Sequence, residues 1–199
     1  MAKIKLTKNE QKKQKDALKR YLRYLPTLML KKQQLQIEIR RVESQQQARR
    51  AERTALSAQL ETWVSVFGEE ADLSRLMNLS GVGTETGNIA GVDIPLFKAA
   101  ELEEKPYDLF LTPLWVDAAL AIIRRLAALD AEVYILKKQA ELLGEELRIT
   151  SQRVNLFEKV KIPEARENIR KIQIYLGDQQ TAAVVRGKIA KSKLVRVNA

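Results

Sequence analysis

The second half of the chain carries the clearest pattern of apolar and polar positions. From Ile122 to Phe157, apolar residues recur at alternating steps of four and three, and Thr150 is the single polar member of the series. An unbroken series of this kind predicts the a/d seam of a coiled coil. Beyond Phe157 the phase slips by a residue or two and resumes at Ile162, with Pro163 at the slip, where a kink costs least. The seam positions are Ile122, Leu126, Leu129, Val133, Leu136, Ala140, Leu143, Leu147, Thr150, Val154 and Phe157, then Ile162, Ala165, Ile169, Ile172, Leu176, Gln179 and Ala183.

The first half of the chain predicts another long helix with a weaker seam. Its apolar positions are Leu18, Leu22, Leu25, Leu35, Ile39 and Val42, followed by Leu56, Leu60, Trp63 and Phe67. The stretch SQQQARRAERT (44–54) between them is polar, and only alanines keep a helical spacing there. We expect these alanines to form a close but weakly held seam, because alanine buries little area. They are Ala48, Ala51, Ala55 and Ala58. The arginines of this stretch are interpreted as cations that keep the surface soluble rather than as contacts to a specific partner.

Glycine and proline residues divide the chain into three parts. Eight of the thirteen lie within 68–113. We therefore predict an N-terminal helix in 1–67, a small insert in 68–113, and a C-terminal helix with a basic tail in 114–199. Two long helices joined by a short insert fold most simply as an antiparallel hairpin, in which the numbers of facing residues add to roughly 180. The predicted fold class is mainly all-α: a long antiparallel two-helix coiled coil with a small insert at the turn end.

The insert has a different pattern from the two helices. NIAGVDIPLFKAAEL (88–102) and YDLFLTPLW (107–115) contain short apolar runs beside turn residues, a pattern compatible with one or two short strands in a β-hairpin. The insert is too short for a core of its own, so we expect it to pack on the helix pair near Trp63 and Trp115. Its glycine string GVGTETGNIAG (81–91) does not match a dinucleotide-binding fingerprint, which would need glycine in place of Thr86. We interpret this string as a flexible turn.

Composition excludes several kinds of chemistry. The 199 residues include no cysteine and no histidine, which rules out a thiol nucleophile, a disulfide, an imidazole catalyst and a Cys/His zinc site. Adjacent carboxylates such as Glu145 and Glu146 diverge on a helix and indicate solvated surfaces rather than an acid–base pair. No apolar run approaches the roughly 20 residues of a membrane span, and the charged N-terminus is unlike a signal peptide. We therefore expect a soluble cytoplasmic protein that needs no cofactor or metal and does not insert into a membrane.

The formal net charge of +10 is unevenly distributed. Residues 1–25 hold nine basic and two acidic side chains, a net charge of +7, and the tail 186–199 holds five basic and no acidic ones. The insert 68–113 holds three basic and nine acidic side chains, a net charge of −6. In an antiparallel hairpin, the two basic termini would lie at one end and the acidic insert at the other. Each end therefore presents a different charge to a partner.

Three interpretations of the basic termini follow from the residues alone. They are solvated helix ends, a nucleic-acid-binding surface, or a cationic end that inserts into a protein cavity. Nucleic-acid binding favours aromatic residues among the cations, and Tyr21 and Tyr24 lie nearby, whereas the tail after Arg186 contains no aromatic residue. The residues alone do not decide among the three.

Three segments of the chain resemble the D subunit of the V-type and archaeal-type rotary ATPases. They are KIKLTKNEQKKQK (3–15), YLPTLMLKKQQLQ (24–36) and RVNLFEKVKIPEARENIRKIQIYLGD (153–178). NIAGVDIPLFK (88–98) also fits the middle insert of those proteins. The resemblance spans nearly the whole chain in order, and none of these segments is a catalytic motif.

The resemblance implies a non-catalytic rotor shaft that couples ATP hydrolysis or synthesis to ion translocation by rotation. ATP would bind to the ring of A and B subunits, and the insert end would lie toward the membrane with the F and C (or d) subunits. As part of that complex, this chain would be cytoplasmic and peripheral to the membrane. The alternative is a coiled-coil protein that binds nucleic acid or acts as an adaptor.

On this basis we expect two sets of contact residues. The ring contacts are Lys3, Lys8, Lys12, Arg186, Lys188, Lys191 and Lys193. The lower-stalk contacts are Trp63, Phe67, Ile94, Phe97 and Trp115.

Overall fold

The computed structural model describes residues 4–61, 76–108 and 112–197. Within these ranges there are three long helices: α1 (Lys8–Glu61), α2 (Val116–Asn155) and α3 (Ile162–Val197). A π-helix (Leu156–Lys161) joins α2 to α3. Strands β1 (Met77–Ile89) and β2 (Val92–Glu104) pair in one antiparallel hairpin. The predicted class, mainly α-helical with a small hairpin insert, is confirmed.

The chain forms two compact units. The terminal unit contains Met1–Lys31 and Thr150–Ala199, and the central unit contains Lys32–Ile149. The start of α1, the π-helix and α3 therefore belong to the terminal unit. The rest of α1, the hairpin and most of α2 belong to the central unit.

In the terminal unit, α1 begins where Thr7 caps it. The Thr7 Oγ1 accepts a hydrogen bond from the Glu10 backbone N–H at 3.3 Å, which satisfies one of the N–H groups left free at a helix start. The predicted seam of this unit is confirmed from Thr150 to Leu176, where its members are buried or half-buried, and the ring centroids of Tyr21 and Phe157 lie 5.1 Å apart. On α1 the prediction is wrong at Leu22, which is 44% exposed. The seam is wrong at Gln179 and Ala183, which are exposed. They lie past the level at which α1 begins, so α1 has no residue to cover them.

The phase slip in the seam coincides with the π-helix. The step from Phe157 to Ile162 is five residues where a regular seam has four, so one residue is in excess. A π-helix absorbs an extra residue because its N–H groups bond one residue farther back, and the Ile162 N–H indeed bonds to the Phe157 carbonyl. Pro163 directly follows, where its missing N–H and its ring would otherwise disturb a regular α-helix. The seam therefore faces α1 on both sides of the slip.

In the central unit, two apolar clusters tie the hairpin to the helices. At the hairpin tip, Ile94 packs among Leu35 and Val42 of α1 and Leu136 and Leu143 of α2. At the hairpin base, Met77 and Leu102 pack with Val116 and Leu120 of α2, beside Trp115. Packing near Trp115 agrees with the sequence prediction, whereas Trp63 lies outside the described residues. The sequence did not predict the contact of the tip with the middle of the helices.

The hairpin is longer and more regular than the sequence suggested. Its strands have 13 residues each, and the register shifts once after Leu79 and once after Gly83. Ala90 and Gly91 form a two-residue turn with φ of 53° and 77°, as a tight hairpin of this type requires. Most of the glycine string therefore lies in strand β1 rather than in a flexible turn, and of its glycines only Gly91 lies in the tight turn. At Gly87, glycine is favoured for a different reason, because a Cβ atom there would lie 2.7 Å from Leu96 Cδ1.

Candidate partner-binding surfaces

The polar stretch of α1 is joined to α2 by ion pairs. Arg49 Nε donates to Glu132 Oε1 at 2.9 Å, and Arg53 Nε donates to Asp130 Oδ1 at 2.8 Å. Arg49 also bonds Glu52 at 2.9 Å, and Glu52 accepts a second hydrogen bond from Arg125 of α2. We call these six side chains the charged section; it consists of Arg49, Glu52, Arg53, Arg125, Asp130 and Glu132. Their numbers pair as an antiparallel helix hairpin requires.

The charged section corrects two predictions. The alanine seam is wrong, because all four of its residues are exposed at the surface of α1 rather than buried between the helices: Ala48, Ala51, Ala55 and Ala58. Arg49 and Arg53 do not merely solubilise the surface, because each reaches across to an acidic residue of α2. Hydrogen bonds from Arg125 and then Arg49 hold the pKa of Glu52 below its usual range, and the bonds to Glu52 and Glu132 raise the pKa of Arg49.

The predicted ring contacts lie in the terminal unit in two separate groups. Lys8 and Lys12 lie on the exposed side of the first turns of α1, and Arg186, Lys188, Lys191 and Lys193 are exposed on α3. Within the described ranges, none of these six takes part in an ion pair. Lys3 lies outside the described residues.

The two groups of cations are not level with each other. A cleft of about 920 Å³ is lined by Leu6, Glu10 and Lys13 on one side and by Glu164 and Lys171 on the other. Lys8 is therefore level with the part of α3 near residue 172. Arg186 lies about 14 residues farther, or roughly 21 Å along the helix. The tail cations thus stand on a single helix, beyond the region where α1 pairs with α3.

The exposed part of α3 also carries apolar side chains that were not among the predicted contacts. Val184, Val185 and Ile189 are between 49% and 59% exposed. Because these side chains lie on the same exposed helix as the tail cations, this part of α3 is a candidate surface for a partner. The signal was present in the sequence, since the apolar pattern continues past the last α3 residue that α1 can face. We call residues 177–193 the α3 tail surface.

The predicted lower-stalk contacts differ in their accessibility. Ile94 is only 1% exposed and belongs to the core of the central unit, which corrects its assignment as a contact residue. Trp115 is half-buried against the hairpin-base cluster, and Phe97 lies beside a groove under the hairpin. Trp63 and Phe67 lie outside the described residues. Phe97 and Trp115 therefore remain as candidates with some exposed surface.

Two other kinds of site are absent from the described part of the chain. Across residues 4–61, 76–108 and 112–197, no group of three or more acidic side chains is arranged to hold a metal ion. Nor does any helix in those ranges combine the length and apolar character of a membrane span.

Known proteins match this chain along nearly its full length. Residues 10–192 match the family described as the D subunit of ATP synthase. Over 198 residues the chain is 54% identical to the V-type ATP synthase D subunit of Borreliella burgdorferi, and the match covers 100% of this chain and 98% of that protein. The V-type ATP synthase D subunit of Chlamydia caviae is 36% identical over 195 residues, with 96% and 93% of the two chains covered. That of Chlamydia pneumoniae is 33% identical over 198 residues, with the same coverage. The chain therefore belongs to the family of V-type ATP synthase D subunits.

Proposed function

We propose that this chain is the central rotor shaft of a V/A-type ATPase. Membership of the D-subunit family makes it a stalk component of that complex. The shaft couples ATP hydrolysis or synthesis in the ring of A and B subunits to ion translocation by rotation. The observation that supports this most strongly is the α3 tail surface, a single helix whose exposed cations and apolar side chains have no cover from α1.

A shaft of this kind acts by differential contact. Its faces differ around the helix, so each catalytic site of the surrounding ring meets a different surface as the shaft turns. Each site binds most tightly the shaft face that fits its current state. A difference of 1.4 kcal/mol in binding free energy changes the ratio of the populations of two states about tenfold. By the same linkage, a change of nucleotide in the ring favours a different shaft angle. The shaft itself needs no catalytic residue and no cofactor for this role.

Each end of the chain has proposed partners. The basic termini contact the A and B subunits, and the region of the insert contacts the F and C (or d) subunits. Phe97 and Trp115 are the proposed lower-stalk contacts with exposed surface. The chain works as a peripheral, cytoplasmic part of the membrane-bound complex and does not bind nucleic acid.

The test removes the tail cations in the full chain and measures association with a ring of A and B subunits. Arg186, Lys188, Lys191 and Lys193 are replaced together by alanine. We expect affinity at low salt to fall at least tenfold, because the charges that attract the ring surface are lost. We also expect the remaining affinity to depend less steeply on salt concentration.

The matched control removes four exposed cations from the central unit: Lys98, Lys137, Lys138 and Arg148. This control changes the net charge by the same amount and leaves the α3 tail surface intact. An equal loss of ring affinity in both variants would mean that only the net charge matters. Unchanged ring binding by the tail variant would contradict the assignment of the tail cations as ring contacts. Recovery of the chain with nucleic acid rather than with A, B and F subunits, with a steep dependence on salt, would instead favour a nucleic-acid-binding protein.

A further inference from the structure

Asn168 of α3 carries a buried side-chain amide to which no described residue forms a hydrogen bond. The residue is 7% exposed and lines the cleft of about 920 Å³ in the terminal unit. Within the described ranges, no side-chain nitrogen or oxygen is both fully enclosed and unpaired, so the Asn168 amide keeps a small accessible surface. That surface opens into the cleft. A buried amide without a partner costs free energy, and a ligand in the cleft would remove that cost.

The carboxylates that line the cleft already have partners. All three pair with a residue close to them in sequence: Glu10 with Gln14 at 2.9 Å, Glu164 with Lys161 at 3.2 Å, and Glu167 with Lys171 at 2.8 Å. The negative charge on this side of the balance is therefore taken up within the chain.

Two ammonium groups of the cleft, by contrast, have no acidic partner in the described part of the chain. They belong to Lys5 and Lys13, which lie across the cleft from α3, and neither was among the predicted ring contacts. The side chains of Ile4 and Leu6 lie beside them, and Leu6 is 40% exposed. The groups that the cleft offers to a ligand are thus two cations, one amide and two apolar side chains.

These groups fit an acidic peptide segment. A carboxylate is held by ammonium groups through charge-assisted hydrogen bonds. An asparagine amide both donates and accepts, as a peptide group does, so the two can pair. An apolar side chain of the same segment would cover Ile4 and Leu6. A free phosphate ion would satisfy the cations and leave the apolar pair uncovered.

We infer that this cleft binds a peptide segment of the surrounding ring in which an acidic side chain stands next to an apolar one. The inference rests on the proposed function, because it takes the segment from an A or B subunit. Arg186, the first of the tail cations, lies 18 residues beyond Asn168, or roughly 27 Å along α3. The cleft is therefore a second contact, separate from the α3 tail surface.

The first test is cross-linking of the full chain assembled with a ring of A and B subunits. A carbodiimide joins an amine to a carboxylate that touches it. We expect mass spectrometry to find Lys5 and Lys13 joined to aspartate or glutamate residues of the ring. The link between Lys171 and Glu167 within α3 serves as the internal control.

The outcomes of this test separate the two proposals. If the ring assembles and the internal link forms while Lys5 and Lys13 stay unlinked to it, the cleft proposal is overturned and the shaft proposal stands. If the chain does not associate with the ring at all, the shaft proposal fails and the cleft proposal fails with it.

The second test changes Asn168 and measures affinity for the same ring. We expect Asn168→Asp to weaken binding at least tenfold, because its carboxylate repels an acidic segment and competes for the cations. Asn168→Leu, which loses only the amide contacts, should weaken binding about threefold, and it decides the matter if Asn168→Asp does not fold. The matched controls are Gln173→Glu and Gln173→Leu, because Gln173 is exposed on α3 and does not line the cleft.

Both controls should leave ring affinity nearly unchanged. Tighter binding by Asn168→Asp would mean that the occupant is cationic and would overturn the proposal. Unchanged binding by both Asn168 variants would show that no segment of the ring enters the cleft.

Discussion

The helix pairs depart from a regular coiled coil in two places, and in opposite ways. In the charged section of the central unit, the seam keeps its phase but lacks large apolar residues between Val42 and Leu56. At the π-helix of the terminal unit, the seam keeps its apolar residues but contains one residue too many between Phe157 and Ile162. The charged section therefore departs in the type of residue at the seam, and the π-helix departs in the spacing of the seam residues.

Side chains compensate for the first departure, and the backbone compensates for the second. A missing apolar side chain is replaced by other side chains, because the backbone is still in the right place to bring Arg49 to Glu132 and Arg53 to Asp130. A wrong spacing cannot be corrected by side chains, since every later residue would face about 100° away from the seam. The backbone must change its hydrogen bonding instead, which it does within the short π-helix. Phase is therefore the stricter requirement.

The largest expected effect comes from changing the number of residues in a regular part of α3. Ile172 is fully buried in the seam of the wild-type chain. Deletion of Arg170, which lies outside the seam, turns Ile172 away from the seam. We expect a loss of about 2–5 kcal/mol in the free energy of unfolding, comparable to the truncation of a buried isoleucine. Urea denaturation followed by circular dichroism measures the difference.

The matched variant deletes a residue where one is in excess. Removing Val160 gives the seam alternating steps of four and three residues throughout. Replacing Pro163 with alanine restores the backbone N–H that proline lacks. We expect this variant to lose less than about 1 kcal/mol, because a continuous α-helix then serves both parts of the seam. If both deletions cost the same, spacing is not the reason for the π-helix.

A smaller effect is expected from restoring apolar residues to the charged section. Replacing Arg49 and Glu132 together with leucine puts two apolar side chains at half-buried facing positions. We expect a gain in stability of about 1 kcal/mol, the low end of what such replacements give at more deeply buried sites. Stability should also lose part of its dependence on salt concentration. Urea denaturation at low and high sodium chloride measures both effects.

Arg50→Leu is the control for that replacement. Arg50 is a neighbour of Arg49 and makes no ion pair among the described residues, so its replacement should change stability by less than about 0.5 kcal/mol. A loss of stability in the Arg49/Glu132 double variant would mean that the ion pairs stabilise the section more than apolar packing can.

The sequence was informative wherever a periodic pattern determined the structure. The heptads predicted the seam and its slip, and the antiparallel arrangement of the two helices predicted which residues face each other. The same arrangement places Arg49 level with Asp130 and Glu132, so these ion pairs were predictable from the sequence. The alanine seam failed because Ala48 and its neighbours are small enough to lie on any face of a helix. The sequence located the slip and predicted a kink there, whereas the π-helix that takes up the extra residue was not predicted. The packing of Ile94 on distant helical residues depends on strand length, which the turn signals did not limit.

The smallest expected effect is the contribution of Glu52 to the dependence of stability on pH. The hydrogen bonds from Arg125 and Arg49 lower the pKa of Glu52 in the folded chain, so the folded state favours its charged form. The resulting stabilisation is present above the pKa of the unfolded chain, near 4.5, and is lost as the pH falls through the lower folded value. Between pH 6 and pH 3 the wild-type chain should therefore lose slightly more stability than Glu52→Gln, which has no proton to take up. Glu43→Gln, which removes an exposed carboxylate of α1 that makes no ion pair in the described ranges, should follow the wild type. Identical curves for the wild type and Glu52→Gln would contradict this expectation and would show that water screens these ion pairs almost completely.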